Sequence, residues 1–368
     1  MNYDTAYKRW SGVGPYYAMF PTNFAKDVVL SYTYLGQRIL DPFAGRASSI
    51  FAGAAHGRRS TGIEINPVGW IYGKTKIRPA MADKVKLRVR EIAQIARELP
   101  ADAGNDLSEF FKFCFSESSL HFLIAARNNL DWRRTRVDRT LMTLILIDLH
   151  GVRSRSFSNQ MRQSKAMSPE YSVKWWRKRK LIPPQISPVE FLEKKIKWRY
   201  AKGLPEIVKS TVFLGDSCQL MSRIQDQMIN RDERSFKLLF TSPPYIGISD
   251  YHRDQWLRLW MLGGDPVFAR NGEKHKGAFV SEKAYKKLLS NVFLQAAELM
   301  SKSGYVYVRT DARGQTFEIT QEVLRQAFPL WQERIISSPY SKQTQTSLYG
   351  DKAIKLGEKD IILTGPRA

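Results

Sequence analysis

Ser242-Pro243-Pro244-Tyr245 brings a hydroxyl, a proline carbonyl and an aromatic ring together within four residues. It follows directly on Phe236-Lys237-Leu238-Leu239-Phe240-Thr241, which has the composition of a buried strand. Two successive prolines cannot extend a strand, because each lacks an N–H and has a fixed φ. The chain must turn there and present these groups at the strand's carboxyl end, where open α/β sheets bind ligands. Two acceptors and one aromatic face suit a flat ring bearing an amino group. Taken alone, the same four residues also fit a loop or a polyproline ligand.

A second cluster favours the first reading. Asp41-Pro42-Phe43-Ala44-Gly45 puts an acid and a glycine turn after the strand-like Arg38-Ile39-Leu40. A run of small residues with helical character, Ser48 to His56, comes next. Glycine at such a turn lets backbone approach a ligand closely. Ser60-Thr61-Gly62-Ile63-Glu64-Ile65 reads as a second strand, ending before Asn66-Pro67. Glu64 is placed there to accept hydrogen bonds from both hydroxyls of a ribose. A third strand, Thr211-Val212-Phe213-Leu214, ends at Gly215-Asp216, and Asp216 could reach the amino group of an adenine. Neither Gly-x-Gly-x-x-Gly nor Gly-x-x-x-x-Gly-Lys-Ser/Thr occurs, so a nucleoside without phosphates fits better than a nucleotide.

These groups need a sheet to hold them. Residues 38–65 form the first unit of a doubly wound sheet. Tyr305-Val306-Tyr307-Val308, Arg334-Ile335-Ile336-Ser337 and Asp360-Ile361-Ile362-Leu363 bring the expected strands to seven. Helices are expected around Ala284–Met300 and Gln315–Phe328. Trp256 to Trp260 fits either a wall of the ligand pocket or a core helix. Residues 71–209, between the second and third strands, are far more than one crossover needs. That interval reads as helical over Ala82–Glu98 and Leu107–Leu130. From Arg153 to Arg199 it carries 13 Lys/Arg against three acids, interleaved with Phe157, Tyr171, Trp175, Trp176, Phe191 and Trp198. The polar run Ser154-Arg155-Ser156-Phe157-Ser158-Asn159-Gln160 lies within it. Arg, Asn and Gln pair with base edges, and Lys and Arg with phosphates. A solvated basic loop is the plainer alternative, but so many Trp and Tyr side chains call for burial.

The whole chain of 368 residues carries a net charge of +23, which points to a polyanionic partner such as nucleic acid. No run of 18 apolar residues occurs, so no membrane span is expected. The N-terminal segment lacks the apolar core of a signal peptide. Cys114 and Cys218 have no His or Cys neighbours at metal spacing. They read as reduced thiols of a cytoplasmic protein, and no metal site is expected.

Taken together, Asp-Pro-Phe-Ala-Gly (41–45), Gly-Ile-Glu-Ile-Asn-Pro (62–67), Gly-Asp-Ser (215–217) and Thr-Ser-Pro-Pro-Tyr (241–245) resemble a known family. It is that of the S-adenosylmethionine-dependent DNA amino-methyltransferases, which methylate the exocyclic nitrogen of cytosine or adenine. Tyr16-Tyr17-Ala18-Met19-Phe20-Pro21-Thr22-Asn23-Phe24 is similar to the family's cofactor motif ahead of the first strand. The resemblance covers residues 15–70 and 208–366, and the interval between them by position only. It implies an α/β, Rossmann-like class I methyltransferase fold, with a seven-stranded, mostly parallel sheet and a large basic insertion. Residues 1–75 and 208–368 would form the catalytic domain, and 76–207 a DNA target-recognition region. S-adenosyl-L-methionine would be held by Phe20, Pro21, Thr22, Asp41, Pro42, Phe43, Ala44, Gly45, Glu64, Ile65, Asn66, Asp216 and Ser217. Ser242, Pro243, Pro244 and Tyr245 would be catalytic. The Ser242 hydroxyl and Pro243 carbonyl would accept from the base NH₂ and localise its lone pair, and Tyr245 would stack on the base.

Such chemistry takes the base out of the double helix. In the family, serine at the first motif position is commoner among cytosine N4 enzymes, and Asp or Asn among adenine N6 enzymes. The expected reaction is therefore cytosine N4 methylation of double-stranded DNA, with adenine N6 or RNA methylation as alternatives. A non-catalytic nucleic-acid-binding protein on the same scaffold is a further alternative. The setting would be prokaryotic or phage-like, and leaves room for a cognate restriction endonuclease acting on the same site. A cytosine-carbon enzyme needs a nucleophilic Cys beside proline, which neither Phe113-Cys114-Phe115 nor Ser217-Cys218-Gln219 provides. One departure stands out: the family's second glycine, in Phe-x-Gly-x-Gly, is Ala47 here. A methyl there disfavours positive φ and would crowd the methionine moiety.

Overall fold

Seven segments become the strands of one sheet in the computed structural model, which describes residues 3–15, 20–230, 235–246, 251–268, 281–338 and 357–366. They are β1 (Arg38–Asp41), β2 (Arg59–Glu64), β3 (Thr211–Leu214), β4 (Phe236–Thr241), β5 (Met300–Asp311), β6 (Gln332–Ser338) and β7 (Glu358–Thr364). Their order is β3-β2-β1-β4-β5-β7-β6. Every pairing is parallel except those of β7, which runs antiparallel to both β5 and β6. This is the Rossmann-like class I methyltransferase arrangement of α/β layers. β1 and most of β4 are buried on both faces, which explains their unbroken apolar character.

Parallel neighbours need crossovers, and helices supply them. Helix Ser48–Ala55 joins β1 to β2, and helix Glu282–Leu299 leads into β5. Helices Ser217–Asn230, Glu282–Leu299 and Gly314–Ala327 pack in a row on one face. Helices Thr22–Tyr32 and Ser48–Ala55 cover the other. β5 begins at Met300 rather than Tyr305, because its edge pairing with Phe236 starts earlier.

Six helices occupy the long interval: Ala82–Arg97, Glu109–Cys114, Glu117–Asn129, Arg136–Ile147, Pro169–Lys178 and Pro188–Tyr200. The single helical stretch expected over Leu107–Leu130 is two helices. Phe115 is extended, and the Ser116 hydroxyl caps the second by accepting from Ser119 N. One apolar cluster joins these helices to Ala44, Ala47, Ile50, Phe51 and Val68 of the β1–β2 unit and to Trp256 and Trp260. Trp256 and Trp260 are therefore core residues, packed against Phe110 and Phe111 with tilted rings, and not the wall of a pocket.

Candidate active site

The chain moves outward from β1 to β2 and β3, then returns to β4 on the other side of β1. The turns after β1 and β4 therefore lie side by side, at the topological switch point where such sheets bind ligands. A hydrogen bond joins them: Thr241 Oγ1 donates to Asp41 Oδ1 at 2.6 Å. Asp41 Oδ1 also accepts from Phe43 N at 3.1 Å, and Oδ2 from Ser49 Oγ. Strand, turn and helix are thus tied to one buried carboxyl. Burial pushes its pKa up to about 6, against the pull of those three donors.

Glu64 performs a parallel task one strand over. Its Oε2 accepts from Gly45 N at 2.6 Å and its Oε1 from Asn66 N at 2.8 Å. Burial pushes Glu64 up to about 8, with a smaller push from Asp41. Backbone links complete the row of turns: Ala44 N donates to Ile63 O at 2.9 Å, and Gly215 N to Glu64 O at 3.0 Å. Ser217 is buried, and its hydroxyl donates to Pro42 O, so it staples the β3 turn to the β1 turn. Asp216 Oδ1 caps the following helix by accepting from Cys218 N at 2.9 Å. Asn66 caps helix Pro67–Ile77 through Val68 N. Ile65 stays 45% exposed beside these turns, an apolar side chain left open to a flat ring.

Ala47 is the exceptional residue of this row. It takes the left-handed conformation, φ 58° and ψ 46°, and is fully buried. Its methyl has room because residue 73 is glycine: a Cβ on Gly73 would lie 2.8 Å from the Ala47 Cβ. Gly69, one helical turn earlier, lets the same helix meet Gly45 O, which a Cβ would approach to 2.6 Å. Beneath the turn, the buried Lys76 Nζ donates to Arg46 O at 2.6 Å. The Arg46 guanidinium in turn donates to Gly14 O at 3.0 Å and reaches Phe20 O at 3.5 Å. Phe20 stacks on Phe240 with ring centroids 4.6 Å apart, and Pro21 leads into helix Thr22–Tyr32. Of the motif at 16–24, Tyr16 to Met19 lie outside the described residues.

At the β4 turn, Pro243 is buried, while Ser242, Pro244 and Tyr245 are half-buried. Ser242 Oγ and the Tyr245 hydroxyl are 3.2 Å apart. Tyr245 also hydrogen-bonds the Glu358 side chain of β7. Glu358 pairs with Arg309 of β5 at 3.2 Å, and Arg309 is held by Asp360 at 2.7 and 2.8 Å. The Arg309 guanidinium lies 3.5 Å from the centroid of the Phe24 ring. Arg309, Glu358 and Asp360 are not among the residues that the sequence motifs single out. The spacing of Glu358 and Asp360, two apart ahead of Ile361-Ile362-Leu363, puts both on one face of a strand end, but does not say which end of the sheet that is.

No protein-family model and no curated protein matches the sequence. Solved structures align over most of the chain at low similarity. An rRNA methyltransferase, aviRa from Streptomyces viridochromogenes, is 8% identical with a TM-score of 0.35, covering 96% of this chain and 90% of its own. A TehB-like SAM-dependent methyltransferase from Corynebacterium glutamicum is 8% identical with a TM-score of 0.32, covering 93% and 87%. TrmN from Thermus thermophilus is 8% identical with a TM-score of 0.34, covering 98% of this chain and 52% of its own. The strand order above carries the fold independently of these likenesses.

The basic interval divides into an inner and an outer part. Its polar run turns inward. Ser156, Ser158 and Asn159 are buried, and Asn159 Nδ2 donates to Phe113 O and Leu181 O at 3.1 Å each. Gln160 Oε1 accepts from Arg153 N at 3.1 Å. Both amides help hold the loop together, and the buried Asn159 is not free to read a base. Outward charge is densest on and after helix Pro169–Lys178, where Lys174, Arg177, Lys178, Arg179 and Lys180 are exposed beside Tyr171; Arg155, Arg162, Lys194 and Lys197 are exposed as well, and Arg177 pairs with Glu109. The Arg179 guanidinium stacks 4.2 Å from the centroid of the Trp175 ring. The segment leading into this helix docks on the chain just after the β4 turn: Ala166 N donates to Asp254 O at 3.0 Å, and Trp256 Nε1 to Met167 O at 3.2 Å. No helix among the described residues is long and apolar enough to cross a membrane, and no cluster of metal-ligating side chains occurs among them.

Proposed function

We propose that this chain transfers a methyl group from S-adenosylmethionine to the exocyclic amino group of a nucleic-acid base, cytosine N4 of double-stranded DNA. The observation that carries the reading is the Thr241–Asp41 hydrogen bond of 2.6 Å, which sets the Ser-Pro-Pro-Tyr turn against the Asp-Pro-Phe-Ala-Gly turn. The residues present fit the cofactor. Glu64 and Asp216 end adjacent strands, Ile65 offers an open apolar side chain, and the row has no phosphate-binding glycine loop. Each Glu64 oxygen accepts one backbone N–H, and the carboxyl, once ionised, keeps a lone pair on each oxygen for a ribose hydroxyl.

When bound, the cofactor supplies an electrophilic methyl group. The remaining work belongs to the β4 turn. The Ser242 hydroxyl and Pro243 carbonyl accept from the base NH₂, which draws its lone pair out of the ring. The double proline fixes both acceptors before the base arrives, so little ordering entropy remains to be lost on binding. The exposed cations of residues 174–180 hold phosphates and leave sequence readout to other groups.

The test is to incubate the protein with labelled S-adenosylmethionine and, separately, duplex DNA, single-stranded DNA and ribosomal or transfer RNA. N4-methylcytosine in duplex DNA is the expected product. Label confined to RNA would replace DNA as substrate, and no label on any nucleic acid would overturn the reading.

A further inference from the structure

We infer that Ser242, Tyr245 and Glu358 form a proton-exit path for the amino group being methylated, with Arg309 and Asp360 fixing the carboxylate at its end. This rests on the methyl-transfer reading above.

The register builds the path. Phe240 of β4 is level with Tyr307 of β5, and Thr241 with Val308. Side chains alternate along strands, so Ser242 and Arg309 project on the face that carries Phe240 and Tyr307. In the antiparallel pair, Arg309 is opposite Asp360, and Asp311 is opposite Glu358. Three acids, Asp311, Glu358 and Asp360, and two arginines, Arg309 and Arg313, thus crowd the edge of the catalytic turn. Asp360 takes most of the Arg309 charge, because Arg309 Nε and Nη2 both bind it and the Tyr307 hydroxyl adds a bond of 2.8 Å. Asp311 is matched by Arg313. From helix Thr22–Tyr32 only the uncharged Phe24 ring meets Arg309. Glu358 is left with one Arg309 contact at 3.2 Å and the Tyr245 hydroxyl. Burial raises its pKa above the usual carboxylate value, with further upward pushes from Asp360 and Asp311. A carboxylate so placed is a better base than an exposed one. Its side chain is 26% exposed, which gives the proton a way out to water.

The step balances. As the N–C bond forms and the S–C bond breaks, the amino nitrogen becomes positively charged. It passes a proton to Ser242 Oγ. Ser242 passes its own proton to Tyr245, whose hydroxyl proton moves to Glu358. The base is left as a neutral secondary amine.

Two readouts test this. In single-turnover methyl transfer, the wild-type rate should rise with pH through the raised Glu358 pKa. Glu358→Gln should lower kcat about 100-fold and abolish that acid limb, with the S-adenosylmethionine Kd changed less than about twofold. Tyr245→Phe should show the same loss of the limb, and it carries the test if the glutamine variant does not fold. Independently of turnover, a carboxyl ¹³C NMR titration of the cofactor-free protein should show Glu358 titrating higher in Tyr245→Phe, because a donor to the ionised form is gone. An active wild type whose Glu358→Gln variant keeps its rate and acid limb overturns the relay alone. A wild type that methylates no nucleic acid overturns the relay and the proposed function together.

Discussion

Ala47 and Gly73 have a methyl group between them that could stand on either residue, and a double-mutant cycle can move it. In Gly73→Ala the new Cβ would lie 2.8 Å from the Ala47 Cβ and 3.3 Å from Val212 Cγ2. Both methyls are borne directly on backbone, so neither can rotate away. Overpacking of this kind costs about 1–3 kcal/mol, and the gain of alanine over glycine in a helix interior offsets about 1 kcal/mol of it. The single variant should therefore be destabilised by about 0–2 kcal/mol. Ala47→Gly removes a left-handed alanine, a relief of about 1–2 kcal/mol. It also gives up a buried methyl worth about 0.8 kcal/mol and frees the unfolded chain by about 0.4–1 kcal/mol. Those terms nearly cancel. In the double variant the clash is gone, and the alanine introduced at position 73 keeps its helix propensity. Urea melts at the four corners should give a favourable coupling of about 1–3 kcal/mol. Additivity within about 0.5 kcal/mol would show that the two positions do not touch, and that the β1 turn does not rest on this helix as described.

Three other outcomes are expected. Ser242→Ala should slow methyl transfer about 100-fold by removing one fixed acceptor, with the cofactor Kd by calorimetry within about twofold; near-normal turnover would remove Ser242 from the site. Burial raises Glu64 from its ordinary value to about 8, so the folded protein holds a proton that the unfolded chain releases above pH 4.5. Stability from this group is present at low pH and declines as pH rises toward 8. Glu64→Gln, which cannot ionise, should gain on wild type by about 1.4 kcal/mol per pH unit across that window, and a pH-independent difference in melts would refute it. The doubly reversed Lys174→Glu, Lys178→Glu variant should weaken duplex binding and reduce the log–log salt slope by about 2, whereas an unaltered slope would take this helix off the phosphates.

The middle of the sheet was legible in the sequence because β1 and β4 are short, apolar and buried on both faces, and because prolines, glycines and acids mark the strand ends. Asp41, Glu64, Asp216 and the Ser242 turn do arrive at one edge. Ser217 was legible as a neighbour of that edge but not in its role, since the hydroxyl's partner, Pro42 O, lies 175 residues away in the chain. The Ser154–Gln160 run misled for a related reason. Asn and Gln look alike whether they bind a base or a carbonyl, and only the packing around Phe113 and Leu181 shows that Asn159 is occupied.

The residues around Glu358 were hidden for a deeper reason. Parallel pairing of β4 with β5 follows from the alternation of strands and helices, but β7 enters antiparallel. Reversing a strand exchanges which of its ends meets the ligand edge. Were β7 parallel, Glu358 and Asp360 would lie at the far end of the sheet, and Thr364 would stand near Ser242. The antiparallel entry places Asp360 opposite Arg309 and sets Glu358 one pleat nearer the β4 turn. Strand direction, which composition does not record, therefore decides whether two acids stand beside the Ser242 turn or sit at the far end of the sheet. A large loss of Tyr245 positioning on Asp360→Asn, with Arg309 left half-neutralised, would be the energetic sign of that choice.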